Sequence, residues 1–340
     1  RQPRQRNDRM GRNCERSGCR LHGHKVKNLI QSNPAQASEE AGELLKGKNK
    51  KNVDLVTSVA HVYLDAGKIT EAQEYLAMAK KANNKDPKVS VLEGDIALAQ
   101  KNIGQACQLY EQAIYFDPNC KEAYLKYAQA YKSASPTQAI EKLEQLKAVD
   151  PNCLEADREL AEVYYSGNRF GKAAEMYAKF IDTPLATEDD MLKYAFALFL
   201  NHDFEKSLQV AQKGLQKNAR HAAFNRLVMY NNTDLKRYED AEKAADAFFN
   251  ASDRADYSYL DYRYYGALLS ALKKYDKAII EYGKALDKDD TQVDLWREIS
   301  DAHEMNNNYA EAIAAYRKYY DALAKEKTSN SGNRALAEKR

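Results

Sequence analysis

Along residues 53–327 apolar and polar positions alternate with the period of an α-helix, in blocks of about a dozen residues separated by short polar breaks. The blocks repeat. A unit of about 34 residues recurs eight times, beginning at Val53, Pro87, Lys121, Leu154, Glu188, Ala222, Tyr259 and Val293, and each unit is predicted to hold two helices. A fixed period of this length marks a stacked array of supersecondary units, each of which needs its neighbours to bury its apolar face.

Two columns of small residues run through the units. The eighth position reads Ala60, Gly94, Ala128, Ala161, Ala195, Met229, Gly266 and Ser300, and the twentieth, or the nineteenth in the shorter third unit, reads Ala72, Ala106, Ala139, Ala173, Ser207, Ala241, Ala278 and Ala312. Two helices of a hairpin approach closely only where both present small side chains, so these columns are expected to face each other. Tyr63, Tyr131 and Tyr164 on first helices, and Tyr110, Tyr177, Tyr282 and Tyr316 on second helices, fall at helical spacing around them and read as core. Asp117-Pro118-Asn119 and Asp150-Pro151-Asn152 separate units, since proline stops one helix and asparagine can cap the next. Asn119 with Glu122, and Asn152 with Glu155, have capping-box spacing. No segment reads as a strand.

These units resemble the tetratricopeptide repeat family over about four fifths of the chain. The clearest are Pro87–Cys120, with Gly94, Ala106, Tyr110, Ala113 and Pro118, and Val293–Glu326, with Trp296, Ala312 and Tyr316. Unit three is one residue short at Ser133-Ala-Ser-Pro136, and unit six has Met229 and Asn232 where a small residue and an aromatic are expected. The resemblance implies an all-α fold, a right-handed superhelix (solenoid) of about eight helical hairpins whose first helices line a concave groove for a peptide or partner segment. The phrases LLKGKNKKN, QLYEQAIYFDPNCKEAYLKYAQ and NHDFEKSLQVAQKGLQK are similar to exported members in Gram-negative bacteria.

Residues 33–52 read as a capping helix, introduced by Asn33-Pro34, with a linker; residues 53–327 are the array and 328–340 a polar, frayed tail. Residues 1–32 read as a basic, disordered leader. Within residues 1–28, seven arginines and two lysines oppose one aspartate and one glutamate; with +2 overall, this +7 leaves −5 on the rest. A basic arm could serve nucleic acid or an anionic membrane. The chain begins with arginine and carries no signal-like apolar stretch, which leaves room for an upstream segment and keeps periplasm and cytoplasm both open. The longest apolar run, Tyr194–Leu200, is too short to span a membrane.

Cys14, Cys19, His22 and His24 could ligate zinc, but their spacing matches no common finger pattern. No metal or cofactor is assigned. Cys120 and Cys153 repeat at the heads of adjacent units, where stacked helices about 8–10 Å apart preclude a bridge. Phosphate-binding glycine loops, a nucleophile elbow and His-Glu-x-x-His are absent, and Glu188-Asp189-Asp190 is what a helix start favours, so the chain reads as non-enzymatic.

The family's groove-facing positions include the fifth and ninth of each first helix. The fifth column holds Arg158, Arg226, Arg263 and Arg297 among the last five units. Arg158 with Glu162 and Arg297 with Asp301 have i, i+4 spacing, whereas Arg226 and Arg263 lack such a partner; Phe196, Phe199 and Tyr230 offer apolar surface beside them. These seven residues are the candidate binding site for a protein or peptide with acidic side chains or a free carboxylate, which arginine forks would hold. The tyrosine-rich run Tyr257–Tyr265 reads chiefly as junction filler around the longer sixth unit. The alternative is a nucleic-acid-associated protein acting through its basic arm. Net acidic repeats oppose wrapping a polyanion, so the adaptor is preferred.

Overall fold

The computed structural model describes residues 26–251 and 256–337. Among the described residues there are eighteen α-helices and no strand, arranged as an all-α solenoid of helical hairpins. Contacts divide the chain into two compact units after Gly167. The first contains α1 (26–32), α2 (Pro34–Leu44), α3 (Val53–Asp65), α4 (Ile69–Asn83), α5 (Pro87–Ala99), α6 (Ile103–Phe116), α7 (Lys121–Tyr131), α8 (Pro136–Val149) and α9 (Leu154–Ser166). The second contains α10 (Phe170–Phe180), α11 (Glu188–Leu200), α12 (Phe204–Leu215), α13 (Ala222–Asp234), α14 (Tyr238–Asp246), α15 (Tyr259–Ala271), α16 (Tyr275–Lys288), α17 (Asp294–Met305) and α18 (Tyr309–Ala337).

Seven of the eight hairpins close through the same backbone device. The fifteenth position of seven units is left-handed: Gly67, Lys101, Asn168, His202, Lys236, Lys273 and Asn307, with φ between 56° and 74°. In unit two this lets Lys101 N–H reach Leu98 O at 2.8 Å and Asn102 N–H reach Ala97 O at 2.9 Å, satisfying the last carbonyls of α5. Only one unit uses glycine there, so side-chain-bearing residues elsewhere hold a conformation that disfavours them. Unit three lacks that residue; among residues 132–135 there is no positive φ, and Pro136 starts α8 directly.

The two small columns meet as their spacing requires. Ser207 donates to Ala195 O at 2.8 Å across one hairpin, and Ser300 donates to Ala312 O at 2.9 Å across another. At Gly94 a Cβ would lie 2.5 Å from Tyr110 Cε1, and at Gly266 it would lie 2.6 Å from the Tyr282 ring. Glycine at the eighth position therefore makes room for the tyrosine of the same hairpin. Met229, the large residue in that column, is fully buried.

Capping differs from the asparagine expectation. Cys120 and Cys153 occupy the cap positions of α7 and α9 without a side-chain bond. The acceptors are Asp117, which takes Asn119 N–H at 2.9 Å, and Asp150, which takes Asn152 N–H at 3.2 Å. In Asp-Pro-Asn-Cys the aspartate makes the turn and leaves asparagine one residue too early to cap. Full capping boxes form at Thr187–Asp190 and Ser258–Asp261.

In the first unit α1 is packed down by Val26 and Ile30, both buried with Ala37, Ala41 and Leu44 of α2. Residues 1–25, with Cys14, Cys19, His22 and His24, lie outside the described residues. At the other end α18 runs on to Ala337 through Thr328-Ser-Asn-Ser-Gly-Asn333, a run of weak helix formers in which no proline intervenes.

Candidate functional site

Within the first unit, α3, α5 and α7 place groove-column residues side by side around a cleft of about 390 Å³, lined by Asp54, Thr57, Ser58, His61, Lys88, Val91 and Glu122. One lining residue, His61, belongs to a bonded polar cluster. Buried Asp95 of α5 accepts Tyr110 Oη at 2.7 Å, His61 Nε2 at 2.8 Å and Lys126 Nζ at 2.9 Å, so one carboxylate ties α3, α5, α6 and α7 together. The other ring nitrogen, His61 Nδ1, lies 2.9 Å from Thr57 O. Both nitrogens thus face acceptors, and only the doubly protonated ring satisfies both.

The electrostatics follow from that geometry. Burial alone would lower the His61 pKa, but the bond to Asp95 and its charge outweigh burial and raise it above the ordinary value. Burial would likewise raise Asp95, yet the His61 bond, the Lys126 charge and the Lys126 and Tyr110 bonds bring it below the ordinary carboxylate range. On the rim, Lys88 pairs with Asp54, and Lys126 Nζ lies 3.7 Å from Glu122. A cleft with acids, a lysine, hydroxyls and one apolar residue, Val91, suits a peptide's amides and mixed side chains.

These first-unit residues are additional to the arginine column. Their signal was the ninth column, where His61 and Asp95 stand 34 residues apart. Of the residues expected to bind, Arg158 lies half-buried in α9 of the first unit, and the other six lie in the second. There, Phe199 and Tyr230 are buried with ring centroids 5.6 Å apart, and Phe196 is half-buried against the same core.

The spacing that leaves Arg226 and Arg263 without an acid one turn away is answered by the next hairpin. Arg226 donates from Nε to Asp261 Oδ1 at 2.7 Å and from Nη2 to Asp261 Oδ2 at 3.2 Å. Asp261 is fully buried and also accepts Tyr230 Oη at 2.7 Å, Ser258 N–H at 2.7 Å and Ser258 Oγ at 3.0 Å. Arg263 forks onto Glu298, with Nη2–Oε1 at 2.6 Å and Nε–Oε2 at 3.2 Å. Each partner lies 35 residues on, one hairpin further along. Arg297, about half exposed, sits 3.8 Å from Asp294 rather than bridging to Asp301.

The tyrosine-rich run is packed between hairpins. Tyr257 donates to Phe249 O at 3.1 Å, Tyr262 and Tyr265 stack on Phe249 at 5.7 and 5.1 Å, and Tyr264 stacks on Tyr230 at 4.0 Å. Cys107 is buried, which pushes its thiol pKa up to about 11. Among the described residues no cluster of three or more His, Cys, Asp or Glu could hold a metal ion, and no helix is long and apolar enough to cross a membrane.

A family model described as tetratricopeptide repeat matches residues 60–120, 128–185 and 266–327, together just over half of the chain. No curated protein sequence matches it. Among solved structures, the chain is similar to a tetratricopeptide repeat protein from Parabacteroides merdae, at 14% identity over 74% of this chain and 98% of that one, with a TM-score of 0.44. It is also similar to Pseudomonas aeruginosa pilF, at 15% identity over 61% and 96% of the two chains, with a TM-score of 0.48. MamA from Desulfovibrio magneticus is 18% identical over 48% and 93%, with a TM-score of 0.41.

Proposed function

Because the chain belongs to the tetratricopeptide repeat family, whose repeats serve in general as scaffolds for protein–protein interaction, we propose that it is a non-enzymatic adaptor that holds a peptide segment against its first helices. The observation that carries this reading is the first-unit cleft, where three successive first helices offer Asp54, Ser58, Lys88 and Glu122 to one bound segment beside His61, which Asp95 holds in place. A side chain bonded at both ends, as His61 is, stays in place when a ligand arrives, which lowers the ordering cost of binding.

An acidic segment or free carboxylate is part of the proposal in a narrower form than the arginine column suggests. Arg226 and Arg263 already hold carboxylates, so within the second unit the fork left for a ligand's acid is Arg297, the more loosely paired one, as a contact separate from the segment held in the first-unit cleft. A random-peptide display selection against the full chain, followed by hydrogen exchange with the best binder, tests the site. Protection confined to α3, α5 and α7, and lost with Ser58→Arg, which fills the cleft from an exposed position, is the expected outcome. Binders that protect other helices and tolerate Ser58→Arg would remove the cleft from consideration.

A further inference from the structure

Between α1 and α2 on one side and the hairpin of α3 and α4 on the other lies a recess of about 290 Å³, which shares no lining residue with the first-unit cleft. Ile30 of α1, Pro34 and Ala35 of α2 and the rings of Tyr63 and Tyr75 give it an apolar wall. Its polar side is Glu71 and Glu74 of α4, with Lys68 just ahead of that helix. The helical period sets this side, because residues 71, 74 and 75 are three and four apart and fall on one face of α4. Described helices bound the recess from both directions, so it lies within the first unit and is not an end face.

The polar groups of the recess are open. Tyr63 is 5% exposed, yet its hydroxyl makes no hydrogen bond to a described residue. The Tyr75 ring lies 5.3 Å away, and its hydroxyl comes near that of Tyr63 without the geometry of a hydrogen bond. Native proteins leave few buried hydroxyls unbonded. Glu71 and Glu74 have no ion-pair or hydrogen-bond partner among the described residues, whereas Glu93, Glu111 and Glu155 of the same unit are each held by a lysine. Burial chiefly, with a contribution from the Glu71 charge, pushes the pKa of both tyrosines up, so two neutral phenols and a carboxylate share this space. Two carboxylates against the single ammonium of Lys68 leave the recess net negative.

We propose that the recess is a binding site for an arginine side chain presented by a partner protein. Ile30, Pro34 and Ala35 cover the methylene stem, and the guanidinium lies against the half-buried Tyr75 ring. Its N–H groups donate to Glu71, Glu74 and the Tyr63 hydroxyl. Arginine suits this set better than lysine because its planar fork carries five donors, enough for a carboxylate and the hydroxyl together, and it stacks on an aromatic face. An anion would meet two carboxylates, and an uncharged apolar group would leave the hydroxyl and both acids unpaired. The site stands on elements other than the three helices of the proposed groove and goes beyond that reading.

Saturation-transfer NMR of the full chain with Nα-acetyl-arginine methylamide, and with its lysine and citrulline counterparts, tests the proposal. Citrulline keeps the shape and removes the charge. The expected result is binding of the arginine probe in the low millimolar range, with citrulline at least about tenfold weaker and lysine weaker than arginine. Glu71→Gln should weaken the arginine probe about tenfold and Tyr63→Phe about fivefold. Tyr63→Phe should not lower the thermal melt, since the hydroxyl it removes is unbonded in the free chain, so its loss of binding is not loss of fold. Ser58→Arg, which fills the first-unit cleft, should leave the probe's binding unchanged, which separates the two sites. No saturation transfer at about 20 mM arginine probe overturns the proposal. So does a citrulline or lysine probe that binds as well as arginine, binding that survives both Glu71→Gln and Tyr63→Phe, or binding abolished by Ser58→Arg.

Discussion

Replacing Arg226 by alanine separates the structural use of this arginine from a ligand-binding one. The substitution leaves Asp261 fully buried with three neutral donors, Tyr230 Oη, Ser258 N–H and Ser258 Oγ, and without the guanidinium that neutralises it. Breaking a buried pair by removing one partner costs about 3–5 kcal/mol. The three remaining donors and the partial exposure of Arg226 place this case near the lower end, about 3 kcal/mol. For a unit of this size that corresponds to a melting shift of about 6–12 °C. Asp261→Asn keeps the shape and removes the charge, so it should cost only about 1–2 kcal/mol, with the double variant less damaging than the sum by about 2 kcal/mol. Thermal melts give the global loss, and amide exchange of residues 256–271 localises it to the start of α15, where the capping box depends on Asp261. Additive effects, or a loss below about 0.5 kcal/mol for Arg226→Ala, would refute the argument and return this arginine to the pool of available ligand groups.

Gly94→Ala should destabilise the first unit by about 1–3 kcal/mol in a denaturant titration, because the new methyl displaces the Tyr110 ring and with it the hydroxyl that holds Asp95. Lys101→Gly and Lys273→Gly should each stabilise by about 0.5–1 kcal/mol in the same assay, since both lysines are left-handed, at φ 64° and 61°; an unchanged midpoint would show that these turns carry no strain. The first unit should also have a pH-dependent stability set by the His61–Asp95–Lys126 group. A raised His61 pKa contributes stability that is full below its ordinary 6.5 and lost as pH rises through the folded value, and a lowered Asp95 pKa contributes stability present above its ordinary 3.8 and lost as pH falls through the folded value. Melts of wild type and His61→Gln should therefore differ most between about pH 4 and 6.5 and converge as the solution becomes alkaline; a constant difference would contradict the assignment of a charged ring.

Periodicity was enough to read a helical array here, because every hairpin reuses the same short-range devices. A small eighth position, a small twentieth and a tyrosine at the twenty-fourth are set by packing within one hairpin, and Gly94 with Tyr110 shows that packing directly. Local sequence was less informative at unit heads, where Asp117 and Asp150 took the turn bonds and left the asparagines short of the cap. The candidate site was legible only as columns. Positions five and nine became candidates through the resemblance to the family, but whether an arginine there is open or occupied depends on the hairpin stacked beside it. Arg226 meets Asp261 and Arg263 meets Glu298 across 35 residues, and His61 meets Asp95 across 34, distances along the chain at which spacing alone specifies no contact. The same reason separates Tyr282, buried in a core shared with α17, from Tyr316, which is 51% exposed and over which no described helix packs. In a stacked array, sequence determines what each hairpin is, and neighbours determine which of its polar groups are paired and which of its apolar faces are closed.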